Sequence, residues 1–247
     1  MDRGEGFSDI SQITFKRLSL DGISTGSKQF DSLLGGRLPV ACITDVFGAA
    51  GTGKTQFALQ NSIQTCENLR SSEKKGPYVL FIDCSASFRP ERIVEMAENR
   101  SLNAARILDN IYSLSARTVA DQLRASQLVE AESTFSACRL LIVDDVTTNF
   151  VSEFKEKDVT TRQLSLSLYA RNLSLIANKR GISVLLTNSV RSRGNLGEGE
   201  TTGEILSAYS LYRLHFKREG RNRFATMIQP GLSNTRISFD IVASGIV

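Results

Sequence analysis

Proline is scarce, at four residues in 247, and no long Ser/Pro/Gly tract interrupts the chain. Collagen-like, linker-like and low-complexity classes are thereby excluded. Histidine occurs once, as His215, and the four cysteines, Cys42, Cys66, Cys84 and Cys138, form no C-x-x-C pair. Neither a zinc-ligand spacing nor a disulfide framework can be drawn from them, so the thiols are expected to be buried and reduced, as in a cytosolic protein. Long apolar runs are also missing: residues 140–143 and 184–186 are strand-sized, far below the roughly 18 residues that span a bilayer. Residues 1–11 carry Asp2, Glu5 and Asp9 without an apolar stretch, which is not a secretory signal pattern. A non-membrane protein is expected that stays where it is made: the cytoplasm, at the nucleoid in a prokaryote, or the nucleus in a eukaryote. Charge of one sign is barely in excess, 30 basic against 26 acidic residues for a net +4. That balance permits a polyanionic partner without demanding one.

What is present is ordinary globular material, 41% hydrophobic and 23% charged, in a length that suits one large α/β domain. Buried strands are read at residues 41–47, 78–83, 139–144 and 182–187, each a short apolar run. Helices are expected at 54–69 and 119–135, and a long one at about 160–179. The last carries Leu164, Leu168 and Leu175 on one stripe, with Leu166, Ala170, Leu173 and Ala177 beside it and Gly181 as its stop. Such alternation requires a doubly wound, mainly parallel sheet. After residue 208 three short strands, 210–216, 224–229 and 236–241, read as an antiparallel extension of that sheet.

The strongest local signal is Gly48-Ala49-Ala50-Gly51-Thr52-Gly53-Lys54-Thr55, which fits G-x-x-x-x-G-K-[ST] between a strand and a helix. Its glycines let successive backbone N–H groups curl around phosphate oxygens, with the helix N-terminus behind them. Lys54 supplies a cation for the phosphates and Thr55 a hydroxyl for Mg²⁺. The required acid at the end of an apolar strand is Asp144, closing Leu140-Leu141-Ile142-Val143-Asp144 and holding the metal through water.

Together with these, Ile23-Ser24-Thr25-Gly26-Ser27-Lys28, Phe30-Asp31-Ser32-Leu33-Leu34-Gly35-Gly36, Gln56, Phe88-Arg89-Pro90-Glu91-Arg92 and Leu186-Thr187-Asn188 resemble the RecA-type strand-exchange recombinases, specifically the archaeal RadA branch and its eukaryotic relatives. The resemblance covers nearly the whole chain. It implies a RecA-like P-loop NTPase core at residues 21–247, preceded by an arm at 1–20, with ATP and Mg²⁺ as cofactors. The Phe88–Arg92 segment is the most specific, because a generic P-loop ATPase does not need it. In the family its second arginine packs on the adenine, a role that maps to Arg92. The resemblance leaves no length for the helix-hairpin-helix DNA-binding domain common in full-length recombinases.

Departures from the family pattern fall on the coupling residues. The stretch that carries the family's water-orienting glutamate reads Asp83-Cys84-Ser85 here, and Ser85 cannot serve as a base. Asp145 is the alternative base, although neighbours on a straight strand face opposite ways. The glutamine expected after Thr187-Asn188 is Ser189, the arginine expected after Phe150 is Val151, and the acid of the cap that one subunit lays over its neighbour's nucleotide is lost at Gln229-Pro230. Candidate DNA contacts are Arg191 and Arg193, set against Glu198, Glu200 and Glu204, and the hairpin cations Lys217, Arg218, Arg221 and Arg223. That hairpin reads equally as a charged surface turn. Phe7-Ser8-Asp9-Ile10 stands where recombinases place a Phe-x-x-Ala peptide that enters a neighbouring subunit. Phe7 and Ile10 are thus candidate partner-binding residues, or part of an unanchored tail.

The resulting expectation is a recombinase paralogue that binds ATP and Mg²⁺, hydrolyses slowly or not at all, and assists recombinational DNA repair. Single-stranded DNA and a RadA-like recombinase or paralogue are its implied partners, in a homo- or hetero-oligomer. Two other readings stay open: a KaiC-like regulatory ATPase without DNA binding, and a self-sufficient DNA-dependent ATPase recombinase.

Overall fold

Strands whose residues are buried on both sides need helices on both faces, and the chain supplies them alternately. The computed structural model describes residues 22–68, 78–154, 158–192, 198–199, 203–230 and 235–247. In chain order these form α1 (Lys28–Leu33), β1 (Cys42–Gly48), α2 (Lys54–Asn68), β2 (Val79–Asp83), α3 (Pro90–Glu98), α4 (Ala104–Leu108), β3 (Ile111–Ser115), α5 (Val119–Ala131), β4 (Leu140–Asp144), α6 (Thr148–Glu153), α7 (Val159–Arg180), β5 (Ser183–Ser189), β6 (Arg191–Ser192), β7 (Glu198–Gly199), α8 (Gly203–Tyr209), β8 (Ser210–Glu219), β9 (Asn222–Gln229), β10 (Arg236–Phe239), β11 (Ile241–Val242) and β12 (Gly245–Ile246).

The main sheet has eight strands in the order β10-β9-β8-β1-β5-β4-β2-β3. The expected α/β sheet, mainly parallel with antiparallel strands at its C-terminal end, is therefore present. The structure adds one detail. β8 runs parallel to β1, and the antiparallel part begins only with the β8–β9 and β9–β10 pairs. The strand expected at 236–241 also stops at Phe239, and the chain turns into a separate two-stranded hairpin, β11–β12. β3, which no apolar run announced, is an edge strand with an exposed or half-exposed side chain at every position.

Two cores flank the sheet. On one side Phe30 of α1 packs against Phe57 of α2 and Phe216 of β8, with ring centroids at 4.9 and 5.5 Å, and Phe216 meets Phe239 at 5.1 Å. Removing one such buried ring typically costs about 3–5 kcal/mol, so Phe30→Ala should unpin α1 from the rest. On the other side α5, α6 and α7 cover β1, β4 and β5 through Phe150, Leu166, Tyr169 and Leu173. α5 starts with a capping box made by Thr118 and Asp121, and α7 stops at Gly181 in the left-handed conformation (φ 65°). Helix 119–135 is shorter than expected, ending at Ala131 before a 3-10 turn at Ser133–Phe135. Within α7 the two sequence stripes separate: Leu166, Ala170, Leu173 and Ala177 are buried, whereas Leu164, Leu168 and Leu175 face solvent.

Candidate functional site

The C-terminal ends of β1, β2, β4 and β5 lie side by side, with Asp83 opposite Asp144 and Gly48 opposite Ser189. In an open α/β sheet ligands gather at that edge. Gly48 ends β1 at φ 156°, and a Cβ there would lie 2.0 Å from the Phe216 carbonyl oxygen, so only glycine lets β1 pass β8 into the loop. The loop then curls into α2. Lys54 Nζ donates to the carbonyls of Gly48 (2.8 Å) and Ala49 (2.9 Å), and Thr52 Oγ1 donates to Ala49 O (2.9 Å). The lysine ammonium is thus held inside the curl, beside a cavity of about 220 Å³ lined by Gly51, Gly53, Lys54, Thr55, Gln56 and Ile241.

Thr55 Oγ1 donates to Asp144 Oδ2 at 2.9 Å, bringing together residues far apart in sequence. The Asp144 carboxylate also accepts the hydroxyls of Ser87 (3.1 Å) and Thr187. Burial pushes its pKa above the usual carboxylate range, and the hydroxyl bonds from Thr187 and Thr55 pull it partly back. A buried carboxylate ringed by hydroxyls and facing a P-loop threonine is a donor set of hard oxygens, which suits Mg²⁺. The loop and its cation suit a polyphosphate. The residues present therefore fit ATP with its metal.

Arg92 is engaged more fully than the sequence indicates. Its Nε donates to Gln56 Oε1 (2.8 Å), NH2 donates to Val242 O (2.6 Å), and NH1 reaches Ala243 O (3.0 Å) and Glu95 (2.5 Å). Two of these donors, NH1 and NH2, hold the β11–β12 hairpin. Arg100 Nε donates to Ser244 O (2.6 Å), and Gln60 Oε1 accepts the Ile246 N–H (2.7 Å). These pins bring Ile241 over the loop, its Cδ1 at 3.0 Å from where a Cβ on Gly53 would stand. The sequence could not announce this arrangement, because the bonds go to backbone carbonyls whose side chains carry no signal.

Next to Asp144, Ser85 and Ser87 are set by Asp83, whose Oδ1 accepts both backbone N–H groups (3.2 and 3.0 Å). Ser85 Oγ donates to Ser87 Oγ at 2.7 Å, and Ser87 passes the chain to Asp144. Asp145, the alternative base, caps its own turn: its Oδ1 accepts Thr147 N (3.0 Å) and Thr147 Oγ1 (2.9 Å). Its side-chain hydrogen bonds among the described residues run to Thr147, not toward Thr55 or Ser87. Ser189 closes β5 as an exposed residue, and the next N–H, that of Val190, donates to Gly48 O at 3.2 Å.

The candidate DNA residues are dispersed. Phe150 is buried against Tyr169, centroids 5.7 Å apart, and Val151 is half-buried on α6. Arg191 lies on β6, which pairs with β7 and so sets Arg191 opposite Gly199, whereas Arg193 falls outside the described residues, as do Phe7 and Ile10. In the hairpin, Lys217 bridges Glu219 (3.0 Å), which also takes Arg236 (2.9 Å), and Arg218 Nε bonds Gly220 O (3.0 Å). Arg221 is exposed, and Arg223 is half-buried. The sequence reading missed Arg236, whose guanidinium covers Phe224 at 3.6 Å. It also missed the buried pair of Arg213 with Asp45 (2.9 Å), with Arg213 lying over Phe47 and His215 stacked on the same ring at 4.9 Å. Among the described residues no group of three His, Cys, Asp or Glu side chains forms a metal cluster. All four cysteines are buried and none forms a disulfide.

Comparison with known proteins agrees with the geometry. A sequence model of the Rad51 family matches residues 16–247. The chain is 34% identical over 226 residues to the DNA repair and recombination protein RadA of Cenarchaeum symbiosum, covering 88% of this chain and 56% of that protein. It is 32% identical over 252 positions to the meiotic recombination protein DMC1 homolog B of Oryza sativa subsp. japonica, covering 98% of this chain and 73% of the relative. To the Metallosphaera sedula RadA it is 30% identical over 252 positions, covering 97% and 76%. The chain thus spans little more than half of the first relative's length. It belongs to the Rad51 family.

Proposed function

We propose that the chain is an ATP-binding Rad51-family paralogue that acts as an accessory factor in homologous recombination and DNA repair, engaging single-stranded DNA or a RadA-like recombinase. One observation carries this reading: the nucleotide-holding set is complete, while the water-orienting position is occupied by Ser85. Lys54, the loop amides and Thr55 with Asp144 supply binding energy; Mg²⁺, when bound, neutralises the β- and γ-phosphate oxygens. With a hydroxyl at 85 and Asp145 tied to Thr147, the general-base contribution of roughly 10² to 10⁴ is lost, and hydrolysis is slow.

A component that holds ATP without turning it over suits retention within an assembly rather than repeated cycling. Ser189, Val151 and Gln229-Pro230 weaken the steps a self-sufficient motor needs, and the name recombination protein carried by the relatives favours recombination over a DNA-independent regulator. The test is strand exchange by the protein alone, by a cognate recombinase, and by both, alongside oligonucleotide binding with and without ATP. Stimulation of the recombinase without exchange by the protein alone is expected. DNA binding should ignore sequence and fall with salt, and Lys217→Ala/Arg218→Ala should reduce the log-log salt slope by roughly 0.7 per lost phosphate contact. Exchange by the protein alone overturns the reading, as does the lack of any effect on DNA or recombinase.

A further inference from the structure

The β11–β12 hairpin is too small to hold its own position. Each strand has two residues, and an isolated pair of strands is marginal in water. Yet it carries Ile241, which lines the cavity of about 220 Å³ at the phosphate loop. Whatever fixes the hairpin therefore fixes one wall of that cavity. Gln60 lies on α2, the helix that the loop opens, and is fully buried with both ends of its carboxamide in use. Its Nε2 donates to Thr25 O (2.7 Å) and, at longer range, to Ile246 O (3.4 Å), while its Oε1 accepts the Ile246 N–H (2.7 Å). Ile246 stands directly opposite Ile241 in the hairpin register. One amide on the P-loop helix thus grips the residue paired with the cavity wall and joins it to the segment before α1.

The surroundings admit little else. Arg100, whose Nε donates to Ser244 O (2.6 Å), lays its guanidinium in a slot between Gly26 and Gly245. A Cβ on Gly26 would stand 2.8 Å from one guanidinium nitrogen, and a Cβ on Gly245 would stand 2.9 Å from the other and 2.3 Å from Gln60 Oε1. Both glycines also have positive φ, 75° and 114°, so conformation and space exclude a side chain together. A leucine at 60 would fill the same volume without partners, whereas a buried carboxamide offsets its desolvation only by bonding. The contribution of Gln60 accordingly lies in where it holds its partners rather than in the space it fills.

On the ATP-binding reading, on which this inference rests, Lys54 and Thr55 meet the phosphates and the metal. Ile241 is aliphatic and offers a phosphate nothing, so its natural contact is the nucleoside. We propose that Gln60, supported by Arg100, is a positioning residue for the nucleoside half of ATP, acting through Ile246 on Ile241 and leaving the phosphate contacts untouched.

Calorimetric titration of the full chain with ATP-Mg²⁺ and with inorganic tripolyphosphate-Mg²⁺ separates the two halves of the ligand. Gln60→Leu should weaken ATP about tenfold and tripolyphosphate by less than about twofold. Arg100→Met should shift ATP in the same direction by about threefold. Ile241→Ala should also weaken ATP alone, and in that background Gln60→Leu should cost less than about twofold more, because its route is already cut. A merely structural glutamine would weaken both ligands together and would add to Ile241→Ala. Equal weakening of the two ligands, unchanged ATP affinity in Gln60→Leu, or full additivity with Ile241→Ala overturns the proposal. If circular dichroism shows Gln60→Leu unfolded, the same comparison is read from Arg100→Met and Ile241→Ala, and equal effects on both ligands there overturn it as well. Wild type that binds neither ligand overturns the nucleotide reading itself, a result distinct from all of these.

Discussion

If a missing carboxylate limits turnover, restoring one at position 85 should release it. The site is prepared for that change. Asp83 holds the backbone N–H groups of residues 85 and 87 at 3.2 and 3.0 Å through its side chain, so the loop does not depend on the serine hydroxyl for its shape. Ser85 is also exposed, which leaves room for one further methylene and the carboxylate. A positioned base is worth roughly 10² to 10⁴ in rate, or about 2.7–5.4 kcal/mol of barrier at 1.36 kcal/mol per decade. One opposing effect reduces the gain: the new carboxylate would stand near Asp83 and Asp144, which disfavours its charged form. Ala86 holds its left-handed conformation (φ 59°) with serine already at 85, so Ser85→Glu and Ser85→Glu/Ala86→Gly should gain alike in rate. The assay is steady-state phosphate release, with Ser85→Gln as a control of similar shape without charge. The reasoning is refuted if the glutamate variants keep ATP-induced stabilisation but hydrolyse no faster than wild type. Fast wild-type turnover that Asp145→Ala abolishes would show instead that Asp145 is the base.

ATP with Mg²⁺ at 100 times its dissociation constant should stabilise the protein by about 2.7 kcal/mol, a rise of about 5–11 °C in Tm for a chain of this size, and Lys54→Ala should abolish it; an undiminished shift in a scanning fluorimetry trace contradicts the P-loop assignment. Arg213→Met deprives the buried Asp45 of its guanidinium, so a loss of about 3–5 kcal/mol is expected, while Asp45→Leu/Arg213→Met should recover most of it in urea unfolding. Burial pushes the Cys66 thiol up to about 12 and Cys138 to about 11 from the ordinary 9.0. Above pH 9 the unfolded chain loses these protons and the folded chain keeps them, so stability should fall as pH rises toward 11 and 12, by about 1.4 kcal/mol per pH unit per thiol. Urea midpoints from pH 8 to 10.5 check this, and Cys66→Ala should flatten the slope.

The parallel centre of the fold was legible because its signals are local and redundant. β1, β2, β4 and β5 are buried at nearly every position, and each reads as an apolar run whatever its neighbours do. β3 was not, since an edge strand with exposed side chains lacks both the run and a clean alternation. At the sheet's mixed end the antiparallel strands were legible, but the parallel pairing of β8 with β1 was not. Strand direction is set by which neighbour a strand finds, and the run of β8 looks the same whether it lies parallel or antiparallel to β1. Leu164, Leu168 and Leu175 show a different limit: periodicity reports that a stripe is apolar, but only packing decides which of two adjacent stripes is covered. At the site, Lys54, Thr55 and Asp144 were legible because phosphate and metal chemistry fix residue type and spacing. Ser87, Thr187 and Gln56 were not assigned roles, because a hydroxyl or amide becomes informative only when its partner is in place. Asp45 and Arg213 meet only because β1 and β8 are neighbours.

On the proposed reading, nucleotide binding and nucleotide turnover depend on different atoms, and the hydrogen bonds that reach the rest of the molecule start from the first set. The carbonyl of Gly48 accepts Lys54 Nζ on one side and the Val190 N–H on the other. Any phosphate that draws Lys54 into the loop therefore changes the field at the acceptor that anchors the segment following β5. Thr187 adds a second connection, since its hydroxyl bonds the Asp144 carboxylate while its carbonyl accepts Val146 N. Neither connection passes through residue 85, and neither requires the glutamine that Ser189 replaces. A ligand shifts a conformational equilibrium by its differential affinity for the two states, not by being consumed. On the proposed reading, occupancy of the loop would act on Val190 through its N–H bond to Gly48 O, and slow hydrolysis would prolong that bound state. The serines at 85 and 189 leave both hydrogen-bonded connections in place.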